Sequence, residues 1–289
     1  MKSILHRLLL AVLALAAATW IAGSVTAAVA AQKAAAPAVA ESKSPAVALI
    51  TGSDRGIGFA LVQELASRGW RVIATCRDPG HAEALKTFAA ANARVTIEPL
   101  DVADNAAIEA LSARYRAQPI DALINNAGIA GSLGNVSPGS SSPEEFAQVL
   151  RVNTYAPLKI SAAFLEQVAA SKQKKIVAIT SGLGSLFQAP QFKDTSDYSI
   201  SKAGLNMAMR ILQSQVRERG VLVGLVTPGP VDTDMQRAYR AAAAQAGHPI
   251  AAASLTPAES ARTLADYIEA LGPEKAGRFY SYNGQEVPW

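Results

Sequence analysis

From Pro45 onward two kinds of stretch alternate along the chain. Short apolar runs rich in Val and Ile lie near 46–51 (AVALIT), 71–76 (RVIATC), 94–99 (RVTIEP), 120–124 (IDALI), 175–180 (KIVAIT) and 221–226 (VLVGLV), with a weaker seventh near 277–281. Nearly continuous apolar runs are what strands buried on both faces require. Between them lie amphipathic stretches near 57–68, 80–91, 104–117, 143–171, 196–219 and 257–270, read as helices. Strand and helix in alternation predict an α/β fold: a Rossmann-type, doubly wound parallel sheet of about seven strands with helices on both faces. Ligands bind such sheets outside the carboxyl ends of the strands. Two stretches break the alternation. Residues 129–142 (IAGSLGNVSPGSSS) read as a loop. Residues 234–256 are Ala-rich and carry Met235, Tyr239 and His248. Following the sixth strand, they are expected over the ligand cleft, an ordinary surface helix being the plainer reading.

The first 45 residues do not share this pattern. Lys2, His6 and Arg7 precede an uncharged run from Leu8 to Ala31, Leu-rich first and Ala-rich later. Basic start, apolar middle and small-residue end predict a secretory signal over 1–31, with Ala28 and Ala30 as an A-x-A cleavage pair. The run is also long enough for an uncleaved membrane anchor through 8–31. A translation start placed too early is a third reading, and would leave the protein cytoplasmic. Residues 32–45 read as a disordered linker, and 46–289 as one dinucleotide-binding catalytic domain.

Half of the residues are hydrophobic, enough for a sizeable core. The formal charge of +4 adds little, because Lys2, Arg7, Lys33 and Lys43 against Glu41 supply most of it. The domain is near neutral, which speaks against nucleic acid as a partner. The single cysteine, Cys76, rules out an intramolecular disulfide and a thiolate metal site, and no metal is expected. Cys76 lies in an apolar run and reads as a core residue.

Candidate chemistry begins where the first strand ends. Gly52, Ser53, Arg55, Gly56, Ile57 and Gly58 belong to a turn, TGSDRGIG, that leads into a helix. Glycines let backbone approach a pyrophosphate, and the helix start offers it free N–H groups. The second strand ends in Thr75-Cys76-Arg77, with no acid at position 76 for a ribose 2′-hydroxyl. Arg77 and Arg55 instead suit a 2′-phosphate, so NADP is expected over NAD.

The chain resembles the short-chain dehydrogenase/reductase family, in its short single-domain branch, over about 45–285. The resemblance rests on TGSDRGIG at 51–58, LDV at 100–102, NNAG at 125–128, Asn153 in RVNTYAP, Ser181 in ITSGLGS, Tyr198 and Lys202 in YSISK, and PGPVDT at 228–233. ATCRDP and NNAGI are similar to its carbonyl-reductase/C-factor-like group. The resemblance implies a hydride transfer between NADP(H) and a small-molecule carbonyl or alcohol, with Asn153, Ser181, Tyr198 and Lys202 as the catalytic set. It implies adenine contacts from Asp101 and Val102, and ribose-side contacts from Asn125, Ala127 and Gly128. Pro228, Gly229, Val231 and Thr233 would lie around the nicotinamide, with Val231 and Thr233 on its carboxamide. Tyr198 and Lys202 would also touch the cofactor, and Asn153 would hold a water linking Lys202 to solvent. Homodimers or homotetramers through the helices near 143–171 and 196–219 are implied as well. The gap between Ser181 and Tyr198 is longer than the family's usual one, so residues near 188–197 are expected to reshape the substrate pocket.

Free tyrosine has a pKa of about 10, too high for a good base near neutral pH. Lys202, four residues on along one helix, faces the same way as Tyr198, and its charge, with that of the oxidised nicotinamide ring, is expected to favour tyrosinate. Ser181 is preferred to its neighbour Ser185 because it stands at the strand's carboxyl end. Two other functions compete. An extended-branch nucleotide-sugar enzyme would need a larger C-terminal domain than follows the sixth strand. A dinucleotide-binding cell-surface signalling or sensor protein with little turnover would suit the export signal.

Overall fold

The computed structural model describes residues 44–132, 139–189 and 196–289. The signal or anchor expected over 1–31 and nearly all of the linker expected over 32–45 lie outside these residues, as do parts of the two loops. Residues Pro45–Trp289 form one compact unit.

Seven strands make one parallel sheet: β1 Val47–Thr51, β2 Arg71–Cys76, β3 Val95–Pro99, β4 Ala122–Asn125, β5 Lys175–Ile179, β6 Leu222–Thr227 and β7 Phe279–Ser281. Their order is β3-β2-β1-β4-β5-β6-β7. The order reverses between β1 and β4, which opens a crevice at their carboxyl ends. The weak seventh run is thus a true strand, paired with β6 from Leu225↔Phe279 to Thr227↔Ser281.

Alternate strand residues serve opposite faces. Leu49, Leu123, Ile176, Val223 and Leu225 join one core, where helices α3 (Asn105–Arg114), α5 (Ala156–Ala163) and α7 (Ser196–Val216) pack. Ile50, Val72, Ile124, Val177 and Val226 join the other, under α1 (Gly56–Ser67) and α9 (Pro257–Glu269). Cys76 is buried in this second core, where burial pushes its thiol up, as a structural cysteine requires. Helix α2 (Glu83–Ala90) is shorter than the expected 80–91, because Pro79–His81 forms a separate 3₁₀ turn capped by Asp78.

The expected helix over 143–171 is broken into α4 (Pro143–Leu150), a π-turn at Arg151–Tyr155, α5, and α6 (Leu165–Ala169). Pro157 offers no N–H to the preceding turn, so the ladder is interrupted there. The π-turn carries Asn153. Residues 234–256 resolve into helix α8 (Asp234–Gln245) and an irregular return. On the helices expected to mediate assembly, Tyr155, Ile200, Met207 and Ile211 are exposed. Among the described residues, no helix is long and apolar enough to cross a membrane.

Candidate active site

Strand β1 delivers its glycine turn to the crevice, and steric detail shows why the glycines are there. Gly52 has φ +67°, and a Cβ on it would come 2.9 Å from Ala127 Cα. A Cβ on Gly58 would lie 2.0 Å from the Gly52 carbonyl oxygen, so any side chain at 58 would force the turn open. Asn126 closes the turn, donating from Nδ2 to the carbonyls of Thr51 (2.9 Å) and Gly52 (3.0 Å). Thr51 Oγ1 accepts from the N–H groups of Asn126 and Ala127, both at 3.0 Å, tying β1 to the chain after β4. Asn126 is the brace that sequence reasoning passed over in favour of its neighbour. Asn125 is buried, and its Nδ2 donates to Ser161 Oγ at 3.0 Å.

The turn suits a pyrophosphate. Helix α1 starts at Gly56 with Arg55 as its N-cap, no side-chain cap and no acid in the first turn. Its first N–H groups therefore face the crevice without an internal acceptor. Ser53 is fully buried, with its hydroxyl donating to the Ile50 carbonyl at 3.0 Å, so what it offers a ligand is backbone. Arg55 is exposed, 3.6 Å from Asp54 and 4.0 Å from Asp234. Arg77 is exposed just past β2. After burial, the charges of Asp54 and Asp78 add to the rise of the Cys76 thiol. Asp78 is occupied as the cap of the 3₁₀ turn. Thr75 Oγ1 is buried here without a partner. Asp101 is exposed, with Oδ1 accepting from Ala103 N–H at 2.9 Å, and Val102 is buried beside it.

Beyond β4 the chain is locked to the π-turn. Asn153 Oδ1 accepts from Ile129 N–H (2.9 Å), and its Nδ2 donates to the Ile129 carbonyl (2.8 Å) and to Ser201 Oγ (3.0 Å). Both amide hydrogens are spent, so the side chain braces the chain after β4 against α7. Gly128 leaves room for this, since a Cβ there would stand 3.2 Å from Asn153 Oδ1 and 3.7 Å from Lys202 Nζ.

Helix α7 brings Tyr198 and Lys202 to the end of β5. Lys202 is buried, donates to the Ile179 carbonyl at 3.0 Å, and holds its Nζ 5.6 Å from the centre of the Tyr198 ring. Burial pushes the Lys202 ammonium down to about 8. Tyr198 is pushed up to about 12 by burial, with a hydrogen bond to Ser181 pulling the other way. Ser181, Tyr198 and Lys202 are thus brought together. Ser185 is not among them: it is buried, with its hydroxyl donating to the Pro288 carbonyl at 2.6 Å.

A cavity of about 660 Å³ opens beside Ser181. Helix α8 and its return wall it with Gln236, Tyr239 and His248, as the position of 234–256 after β6 led us to expect. Gln188, Tyr282 and Val287 also line it, and no Asp, Glu, Lys or Arg does among the described residues. Gln188 belongs to the lengthened segment between Ser181 and Tyr198, whereas Tyr282 and Val287 carried no sequence signal. Gly229 and Pro230 lie on the other side, and Val231 next to them is buried. A Cβ on Gly229 would come 2.7 Å from Tyr282, and Val231 bridges to Leu255. Pro228 accepts from Ser260 Oγ at 2.9 Å. Thr233 caps α8 with its hydroxyl, and its methyl lies 3.5 Å from where a Cβ on Gly56 would be. The described residues contain no cluster of His, Cys, Asp and Glu able to hold a metal ion.

Comparison with known proteins follows the same lines. The profile of the family described as short chain dehydrogenase matches residues 46–244. The chain is 33% identical to the 3-oxoacyl-[acyl-carrier-protein] reductase FabG of Escherichia coli over 194 residues, 66% of this chain and 76% of that one. It is 35% identical to C-signal of Myxococcus xanthus over 174 residues, 59% of this chain and 93% of that one. Among solved structures, the NADPH-bound carbonyl reductase from chicken fatty liver superposes with a TM-score of 0.75 at 31% identity, covering 85% of this chain and 99% of that one.

Proposed function

Since the chain belongs to the short-chain dehydrogenase/reductase family and is an oxidoreductase, we propose that it reduces a small, uncharged aldehyde or ketone with NADPH, or runs the reverse oxidation. The observation carrying this reading is the convergence of Ser181, Tyr198 and Lys202 at the end of β5, beside a cavity without charged walls among the described residues. A bound nicotinamide supplies the hydride. The Gly52–Gly58 turn and the start of α1 hold its pyrophosphate, and Lys202 its ribose. The rest is done by side chains. Ser181 and Tyr198 present hydroxyls to one carbonyl oxygen, where negative charge develops. Tyr198, kept protonated by burial, passes its proton to that oxygen. The Lys202 ammonium offsets the phenolate left behind.

Lys202 carries its charge below about pH 8 and loses it above. kcat/KM for reduction of a neutral aldehyde should therefore be level near neutrality and fall as pH rises through about 8. A profile that rises across this range contradicts the assigned roles.

NADP is preferred to NAD on the same proposal, supported by exposed Arg77 at the end of β2 and by the NADPH-bound chicken enzyme. Arg77→Asp puts a group that repels phosphate where one that attracts it stood. The ratio of specificity constants for NADPH and NADH should fall by about tenfold or more, the worth of one charge-assisted bond. An unchanged ratio assigns the phosphate to other residues.

A second reading, a dinucleotide-binding signalling protein with little turnover, draws on the likeness to C-signal. It predicts cofactor binding without carbonyl turnover. Location is a separate proposal: the charge pattern of residues 1–31 supports export or membrane anchoring. Cell fractionation with N-terminal sequencing should find the chain starting near Ala31 or Gln32 outside the cytoplasm, or intact in the membrane fraction. Soluble cytoplasmic protein starting near residues 39–47 contradicts export.

A further inference from the structure

Ser185, Pro288 and Trp289 lie outside the cavity wall, yet they are joined to it. The loop after β5 carries Ser181 and Gln188, both in the cavity wall. One side of this loop rests on α7. Asn206 Nδ2 donates to the Gly184 carbonyl at 3.1 Å, Thr180 Oγ1 donates to Asn206 Oδ1 at 2.6 Å, and a Cβ on Gly184 would lie within 3.0 Å of Lys202 backbone atoms. The other side rests on the segment after β7. Ser185 Oγ donates to the Pro288 carbonyl (2.6 Å), and Phe187 N–H to the Trp289 main-chain oxygen (2.8 Å). Ser185 Oγ also accepts from Gln188 N–H at 3.2 Å, so one hydroxyl joins the segment to the pocket-lining glutamine.

That segment is itself anchored. Val287 N–H donates to the Phe279 carbonyl at 2.8 Å, fixing it to β7. The Trp289 ring lies 5.9 Å from the Phe279 ring, with the Arg210 guanidinium of α7 4.7 Å over its face. Arg–Trp stacking of this kind is attractive and directional.

We propose that residues 287–289 are a strap that fixes the loop after β5, and so sets where Ser181 and Gln188 stand against a bound carbonyl. Ser185 is the positioning residue through which the strap acts. The strap's contacts given above run to β7, to α7 and to the loop after β5, whereas the glycine turn and its Asn126 brace follow β1 and β4. Slackening it should spoil the alignment of the substrate oxygen while sparing cofactor binding.

The consequence for turnover rests on the carbonyl-reductase reading; the ordering of the loop does not. The test uses the full chain with Ser185→Ala, Trp289→Ala and the conservative Trp289→Phe. Amide hydrogen exchange at Phe187 and Gln188 should speed up by about tenfold or more in both alanine variants and return toward wild type in Trp289→Phe. In the alanine variants kcat/KM for a carbonyl should drop about 10–100-fold, as misplacement of reacting groups does, with NADPH Kd changed by less than about twofold. Trp289→Phe should recover most of the loss. Unchanged protection at both amides in Trp289→Ala overturns the strap. So does a fall in NADPH affinity that parallels the fall in turnover, which marks a general loss of fold. If wild type turns over no carbonyl, the functional reading fails while the exchange measurement still decides the strap.

Discussion

Tyr198→Phe should lower carbonyl turnover by about 10²–10⁴-fold, the range typical of a positioned general acid. The substitution removes one oxygen and keeps the ring against which Lys202 lies. The lost oxygen is the proton donor in reduction and a partner of Ser181, so the loss should fall on kcat rather than on the Kd for NADPH. Isothermal titration with NADPH beside steady-state kinetics separates the two. Activity near wild type removes Tyr198 from the chemistry.

Lys202→Met should have the second large effect, and of a different kind. It removes the charge that offsets the phenolate, costing about 10²–10⁴-fold in turnover. It also removes a proposed donor to the nicotinamide ribose, weakening NADPH binding by about tenfold or more, since hydrogen bonds from charged groups are worth about 1.5–3 kcal/mol. Methionine fills similar volume, but the Ile179 carbonyl loses its donor. A thermal unfolding scan should therefore accompany the assay. Full cofactor affinity in a folded variant would show that Lys202 serves the proton alone.

Much of the fold could be read from the sequence for a physical reason. Strands such as β1, β4 and β5 are buried end to end on both faces, so each appears as an unbroken apolar run. The glycine turn was equally readable, because the lack of space at Gly58 forbids almost any other residue. Tyr198 and Lys202 were readable as a pair from their spacing on one helix.

What stayed hidden depends on contacts distant in sequence or on one-residue adjustments. The π-turn at 151–155 leaves the hydrophobic pattern of 143–171 nearly intact, yet it turns Asn153 inward onto Ile129. The strand end favours Ser181 over Ser185, but what Ser185 does instead, donating to the Pro288 carbonyl over a hundred residues on, leaves no local trace. Spacing shows the charge near Tyr198 but not the burial that raises its phenol. Helix α8 is hard to recognise in an Ala-rich stretch with a single buried residue, Ala243.

The most direct test of the central claim is a turnover assay of the 46–289 unit in the full chain, using NADPH and a panel of neutral aldehydes and ketones alongside 2-oxo acids. Alcohol should form in step with NADPH consumed, neutral carbonyls should be preferred, and Tyr198→Phe should abolish most of the signal. Tight NADPH binding with no alcohol formed from any carbonyl contradicts the account and leaves the dinucleotide-binding signalling reading in its place.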